Sequence, residues 1–328
     1  MSGTVSSPKK EKTGEKNFYA FQLDFGKIVK DSKGNETYKE FWDYAQFKKM
    51  FESILDKDIN DRKKLNNTWF MSLDQGNEFS EKIDKEGKKL EHTYIVGRFL
   101  YAEYGYVGKL RHVDTMQQRE HDKHPREGEE KYVYFYIRAN DGLLLLQGDM
   151  KVIRSKVEEY IFNNGKEYLD SQQINNFSVS TLLRGDFLDE VKKLDEVTKI
   201  EIELAVEKTD TYENELMAVA QNHAKQVNAN YATIVMQSKY KKEGMSMVDK
   251  MLSRVKPNGS TRPINGVNNI KVIGKKEGEL TRVYLSKISE KHVTKVKVDD
   301  NRVIDIDDIH KQMKEVGKKR EGLWRGDK

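Results

Sequence analysis

The sequence predicts an α+β or α/β fold in which mixed sheets are flanked by helices. Three stretches carry that reading. "KYVYFYIRA" concentrates β-branched and aromatic residues from Tyr132 to Ile137, the composition of a strand. Ile200, Ile202 and Leu204 alternate with Glu201 and Glu203, the period-2 pattern of a half-buried strand with an acidic outer face. "GLLLLQGDMKVIRSKVEEYIF" passes from an apolar run through Gly148 to Met150, Ile153, Val157, Tyr160 and Ile161 at helical spacing. A buried strand, a glycine turn and an amphipathic helix lying on the sheet account for it most simply.

The remaining elements follow in chain order. Residues 1–16 are polar, with Pro8 and Gly14, and read as a flexible basic tail. Phe18–Val29 alternates as a strand and is interrupted at Gly34–Asn35. From Tyr38 to Leu55, Phe41, Tyr44, Ala45, Phe47, Phe51, Ile54 and Leu55 fit one helical face. "NTWFMSLDQG" reads as a short strand and "KIDKEGKKLE" as a charged connection. "HTYIVGRFLYAEYGYVGKL" reads as one strand or two, broken near Gly97 and Gly105. Beyond the leucine run come a strand near residues 177–181, a helix at Phe187–Leu194 and the strand Thr198–Val206. Thr211–Val227 suits a helix whose stripe is Leu216, Val219, Ala220, His223 and Val227. "KPNGSTRPINGVNN" reads as a loop. "NIKVIGKK", "LTRVYLSKI" and "VTKVKVDDNRVIDI" then read as strands before a helix in "DDIHKQMKEVG", capped by Asp307 or Asp308.

This divides the chain into the tail, a main domain at 17–256, a hinge at 257–269, and a small basic α+β module with its own tail at 270–328. The length of 328 residues suits about two domains. With 36% hydrophobic residues the chain has enough apolar side chains for cores despite 34% charged ones. No apolar run is long enough to span a bilayer, and the start lacks the apolar segment of a secretory signal. A cytoplasmic location without membrane contact is expected. Cysteine is absent, which removes disulfides, thiol catalysis and cysteine metal sites.

Charge is segregated along the chain. Residues 184–215 hold eleven acidic and five basic residues, whereas 239–276 hold ten basic and two acidic ones. Residues 311–328 add seven basic and three acidic ones. Lys239, Lys241, Lys242, Lys250, Arg254, Lys256, Arg262, Lys271, Lys275 and Lys276 form one candidate phosphate-binding set. Lys318, Lys319, Arg320 and Arg325 form a second, with Trp324 placed to stack on a base. Contacts of this kind are salt-sensitive and independent of base sequence.

Catalytic signals are sparse. Neither GxGxxG nor GxxxxGK[ST] nor GxSxG occurs, so no cofactor is expected. His112, His121 and His124 lie near Asp114 and Asp122 and have ligand-type chemistry in a polar connection. Asp195, Glu201 and Glu203, with Glu207 and Lys208 just beyond, are the candidate carboxylates of a metal-dependent nuclease. Arg154 is a candidate phosphate contact, His223 a core histidine, and His310 a histidine whose proton affinity Asp307 and Asp308 would raise.

"NFYAFQLDF", "DGLLLLQGD...KVEEYIF" and "IKVIGKKEGEL...VYLSKI...DIDDIHKQM" resemble pieces of uncharacterised bacterial proteins found with phage-defence or abortive-infection genes. More loosely, the chain is similar to the DNA-binding partner proteins of Kiwa defence systems. The resemblance implies a bacterial cytoplasmic protein used against phage, and transfers no catalytic residue. The reading that joins these observations is a nucleic-acid-associated defence protein with a protein partner, compatible with a homo-oligomer. A metal-dependent nuclease and a non-enzymatic interaction scaffold are its alternatives.

Overall fold

The computed structural model describes residues 12–30, 32, 36–85, 88–182, 187–205, 215–227, 229, 231–238, 244–246, 248, 251–252, 267–285 and 290–320. Strands β1 (Thr13–Lys30) and β2 (Glu36–Phe41) precede helices α1 (Tyr44–Leu55) and α2 (Ile59–Arg62). Next come β3 (Lys64–Leu65), β4 (Trp69–Lys85), β5 (Lys88–Glu103), β6 (Leu110–Arg111), β7 (Gln118–Arg119), β8 (Lys131–Arg138) and β9 (Leu143–Gln147). Helices α3 (Arg154–Asn164) and α4 (Lys166–Ser171) lead to β10 (Asn176–Thr181), α5 (Phe187–Lys192), β11 (Glu196–Ala205) and α6 (Glu215–Gln226). Strands β12 (Tyr231–Gln237), β13 (Val267–Lys276), β14 (Glu279–Tyr284) and β15 (Lys291–Lys297) and helix α7 (Ile306–Lys319) complete the described elements. The fold is α+β, with extensive antiparallel pairing and flanking helices.

Contacts divide the chain into two units. One holds the chain up to Tyr19, Tyr44–Tyr168 and the residues from Lys291 through α7; the other holds Ala20–Asp43 and Leu169–Glu290. Of the described residues in the span 270–328, those up to 285 and Glu290 lie in the second unit and 291–320 in the first.

In the first unit the strands run in the order β1-β9-β8-β5-β4-β3, and β15 pairs with the start of β1 from Thr13↔Lys297 to Tyr19↔Lys291. All four leucines of β9 are buried. Both faces of the neighbouring β8 are covered as well, which is why "YVYFYI" has no polar alternate. Phe135 meets Phe51 of α1 at a centroid distance of 6.0 Å, and Phe99 at 5.2 Å. Tyr134 and Tyr136, pointing the other way, meet α7: the Tyr134 ring lies 5.7 Å from that of His310. A Cβ at Gly317 would come within 2.5 Å of the Tyr136 ring, so α7 needs glycine there to approach the sheet. Tyr160 of α3 stands edge-on to Phe99 and accepts a hydrogen bond from the Leu73 N–H at 2.9 Å.

One sequence expectation changes here, and of the two readings of the Gly97 segment the single strand is found. The charged segment read as a connection forms the arms of the β4–β5 hairpin, because Lys82↔Glu91 and Asp84↔Lys89 set opposite charges across the ladder. Strand β5 also runs unbroken through Gly97, which lies opposite Gly76 and under the Phe135 ring.

In the second unit, the later part of β1 pairs with β10 along Phe21↔Thr181 to Gly26↔Asn176, and with β2 along Phe25↔Phe41 to Lys30↔Glu36. The helix expected from Tyr38 therefore starts at Tyr44. Phe41 and Trp42 stay beside Phe25, at centroid distances of 5.7 and 6.2 Å, and belong to the sheet.

A separate four-stranded sheet in this unit has the order β12-β11-β13-β14. Its inner face carries Ile200, Ile202, Leu204, Ile270 and Val272, covered by Phe187, Leu188 and Val191 of α5 and by Met217. Strand β12 has no counterpart in the sequence reading. The buried stripe of α6 is Met217, Gln221 and Ala224, whereas Val219 and Val227 are 48% and 74% exposed. A weakly apolar helix offers several equivalent stripes, and the buried Gln221 hides among its polar residues. In α7 the N-cap is Asp305, not Asp307 or Asp308; its carboxylate accepts from the Asp308 N–H at 3.0 Å.

Candidate polyanion-binding surface

The register of β11, β13 and β14 decides what the basic residues of β13 meet. Ile270 and Val272 point into the core, so Lys271 and Lys275 point outward, beside the outward carboxylates of β11. Lys271 Nζ lies 2.9 Å from Glu201 Oε2, and Lys199 Nζ lies 2.7 Å from Glu201 Oε1. Hydrogen bonds from those two lysines hold the Glu201 carboxyl below its ordinary range. Lys275 Nζ is 2.9 Å from Glu196 Oε2. Lys276 is opposite Glu279 at the β13–β14 turn. On the described sheet face, Lys199, Lys271 and Lys275 are thus each paired with a carboxylate of β11.

On α7, Lys318 Nζ lies 2.7 Å from Glu81 Oε1 and Lys314 Nζ lies 3.4 Å from Glu81 Oε2. Burial pushes the Glu81 carboxyl up, but the two lysines outweigh it and the net shift is downward. Lys319 is exposed, while the Arg320 carbonyl accepts from Arg138 at 2.8 Å. Lys239, Lys241, Lys242, Lys250, Arg254, Lys256, Arg262, Trp324 and Arg325 lie outside the described residues.

Of the candidate catalytic carboxylates, Asp195 and Glu201 have other partners, and Glu203 lies opposite Thr233 and Asn269 in the ladder. The Asp195 carboxylate accepts from the Glu277 N–H at 2.6 Å, and Glu201 is held between two lysines. Glu207 and Lys208 lie outside the described residues. His112 Nδ1 accepts from the Asp114 N–H at 3.2 Å, His121 Nδ1 from Lys123 at 3.1 Å and His124 Nδ1 from Arg126 at 3.1 Å. Each ring closes a local turn. Among the described residues no three His, Asp or Glu side chains are grouped to hold a metal ion. Arg154 pairs with Glu158 at 3.1 Å, as a surface arginine would, and His223 is exposed rather than in the core.

His310 reverses its expected shift. Burial outweighs both its hydrogen bond to the Gly97 backbone and the attraction of Asp307, and lowers its pKa. Burial also lowers that of His92, helped by Arg138, Lys318 and Lys314 and opposed by Glu81; the ring shares a 3.0 Å hydrogen bond with Tyr136. Both rings are therefore harder to protonate folded than unfolded. Their contribution to stability is complete above the unfolded value of about 6.5 and is lost as pH falls through the lower folded values. The urea midpoint is expected to fall between about pH 7.5 and about pH 5.5, and to fall less in the His92→Gln/His310→Gln variant. Equal slopes for both proteins would exclude this origin.

One basic pair escaped the sequence reading. Lys63, after α2, and Arg126, in the loop before β8, line a cleft of about 250 Å³ with Ile59, Leu65, Phe70 and Tyr104. The Gly105 N–H donates to the Pro125 carbonyl at 2.7 Å and ties that loop to the end of β5. The Arg126 guanidinium lies 5.6 Å from the centroid of the Tyr104 ring, and Lys63 Nζ is 3.3 Å from Asn60 Oδ1. Neither cation is paired with a carboxylate among the described residues. No periodicity links these positions; only the fold joins them.

No protein-family model matches the chain, and no curated protein matches it. Among the described residues, no helix is long and apolar enough to cross a membrane.

Proposed function

We infer that the chain is a nucleic-acid-associated protein of bacterial antiviral defence that grips the phosphate backbone and works with a protein partner. The observation that carries this reading is the ten-to-two excess of basic over acidic residues at 239–276, of which Lys271 and Lys275 are matched by Glu201 and Glu196. The defence assignment rests on the sequence resemblance. Binding through such a segment releases counterions and is independent of base sequence, so it weakens steeply with salt.

Fluorescence anisotropy with labelled DNA and RNA across a salt series tests it. A variant carrying Lys241→Glu, Lys242→Glu, Lys256→Glu and Lys276→Glu is expected to lose at least about tenfold in affinity at low salt, with a shallower salt slope. Equal binding by parent and variant, or none by either, would reject the segment as the grip.

The self-neutralised face of the second sheet favours one rival, a scaffold that recognises protein. A stoichiometric protein complex that survives nuclease treatment and carries no nucleic acid would select that reading instead.

A further inference from the structure

The cleft beside β4 and β5 lies apart in sequence from both basic segments. Its apolar wall is incompletely covered: Ile59 and Leu65 are 42% and 55% exposed. Aromatic surface adjoins that wall. The Phe70 and Tyr104 rings are 6.4 Å apart and tilted by 35°, and the Arg126 guanidinium covers Tyr104. Tyr104 is held in place because its hydroxyl donates to the Asn66 carbonyl and its N–H to that of Thr68.

The charges of Lys63 and Arg126 set this cleft apart from the ion-paired lysines of β13 and α7. Elsewhere on the described surface, Lys48, Lys64, Lys109 and Lys271 face carboxylates, while Lys49 and Lys319, like Lys63, have no carboxylate partner among the described residues; the cleft differs in setting two such cations beside aromatic rings. Here an apolar, aromatic cleft carries two cations with which no described carboxylate pairs. Its volume of about 250 Å³ falls below the range of drug-sized sites, about 300–1,000 Å³, and suits a single small ring system. A planar ring bearing an anion complements all of these features.

We propose that this cleft binds one unpaired nucleobase together with its phosphate. The base lies against Phe70 and Tyr104, Arg126 spans ring and phosphate, and Lys63 holds the phosphate from the α2 side. Arginine suits the shared position because its planar guanidinium both stacks on rings and pairs with phosphate oxygens. The site deepens the nucleic-acid reading and, for binding to a polymer, rests on it: the basic segments would hold backbone, while the cleft would distinguish unpaired from paired strands.

The test uses the full chain at low salt with four probes: a labelled single strand, the same strand with abasic positions, its duplex, and AMP. The intact single strand is expected to bind about 5- to 150-fold tighter than the abasic one, the range that corresponds to one stacked base. Lys63→Ala, Arg126→Ala and Tyr104→Leu should each reduce that advantage while leaving duplex binding unchanged. Lys63→Ala and Arg126→Ala alter exposed ends, so they remain informative if Tyr104→Leu fails to fold. Equal binding of intact, abasic and duplex probes overturns the cleft and leaves the backbone grip standing. AMP binding that Arg126→Ala abolishes, without binding of any polymer, supports the cleft and rejects the polymer reading. Silence of all four probes overturns both.

Discussion

Replacing Arg138 with alanine is expected to lower the unfolding free energy of the first unit by about 3–5 kcal/mol, the cost of breaking a buried ion pair from one side. Arg138 and Asp141 are 6% and 10% exposed in their side chains, with contacts of 2.8 and 2.6 Å between guanidinium and carboxylate. The same guanidinium donates to the carbonyls of Gly317 and Arg320 at 2.5 and 2.8 Å. It therefore serves the last turn of α7, where carbonyls have no partner within the helix. Loss of Arg138 leaves a buried carboxylate and two carbonyls without that donor. Exchange of α7 amides should accelerate with the drop in stability. The Arg138→Met/Asp141→Leu pair should recover much of the loss, since the charges are then removed together. A single-variant loss of under about 1 kcal/mol, the range of an exposed pair, would show that the pair is hydrated in solution.

Phe135→Ala is expected to cost a similar amount, about 3–5 kcal/mol by urea unfolding. Its ring fills the space between Phe51 and Phe99 and also the place of the absent side chain at Gly97. A Cβ at Gly97 would lie 2.6 Å from Phe135 Cζ and 2.1 Å from the Gln75 carbonyl oxygen. Truncating Phe135 relieves the first collision only. Gly97→Ala is therefore expected to remain destabilising in the Phe135→Ala background, through the backbone clash with β4. Full tolerance there would place the constraint in the ring alone.

The elements legible in the sequence are those whose periodicity survives on a buried face. Strands β8, β9 and β11 carry dense apolar patterns, α7 keeps its helical spacing, and α3 keeps only Val157, Tyr160 and Ile161 of its expected stripe, because Met150 and Ile153 precede it and are 91% and 44% exposed. Other elements are defined by pairing instead. Strand β2 is held by β1 and by aromatic contact with Phe25; the β4–β5 arms are held by cross-strand charge pairs that locally look like loop. The candidate site was legible only as charge. Lys271 and Glu201 are far apart in sequence, so the ladder that sets them side by side is set by register, which no local pattern reveals. Lys63, Phe70, Tyr104 and Arg126 come from separate segments for the same reason, and the cleft they line had no sequence signature.

The pairing of Thr13 with Lys297, together with the seat of α7 on Tyr136, bears on how the protein is made. Segments emerge from the ribosome in order, and domains that complete early can fold before release. The first unit must wait for residues beyond 290 before β1 gains its last neighbour and one face of β8 is covered. During synthesis the tyrosines of β8 and the open margin of β1 stay bare on a nascent chain, the interval in which chaperone capture would matter most.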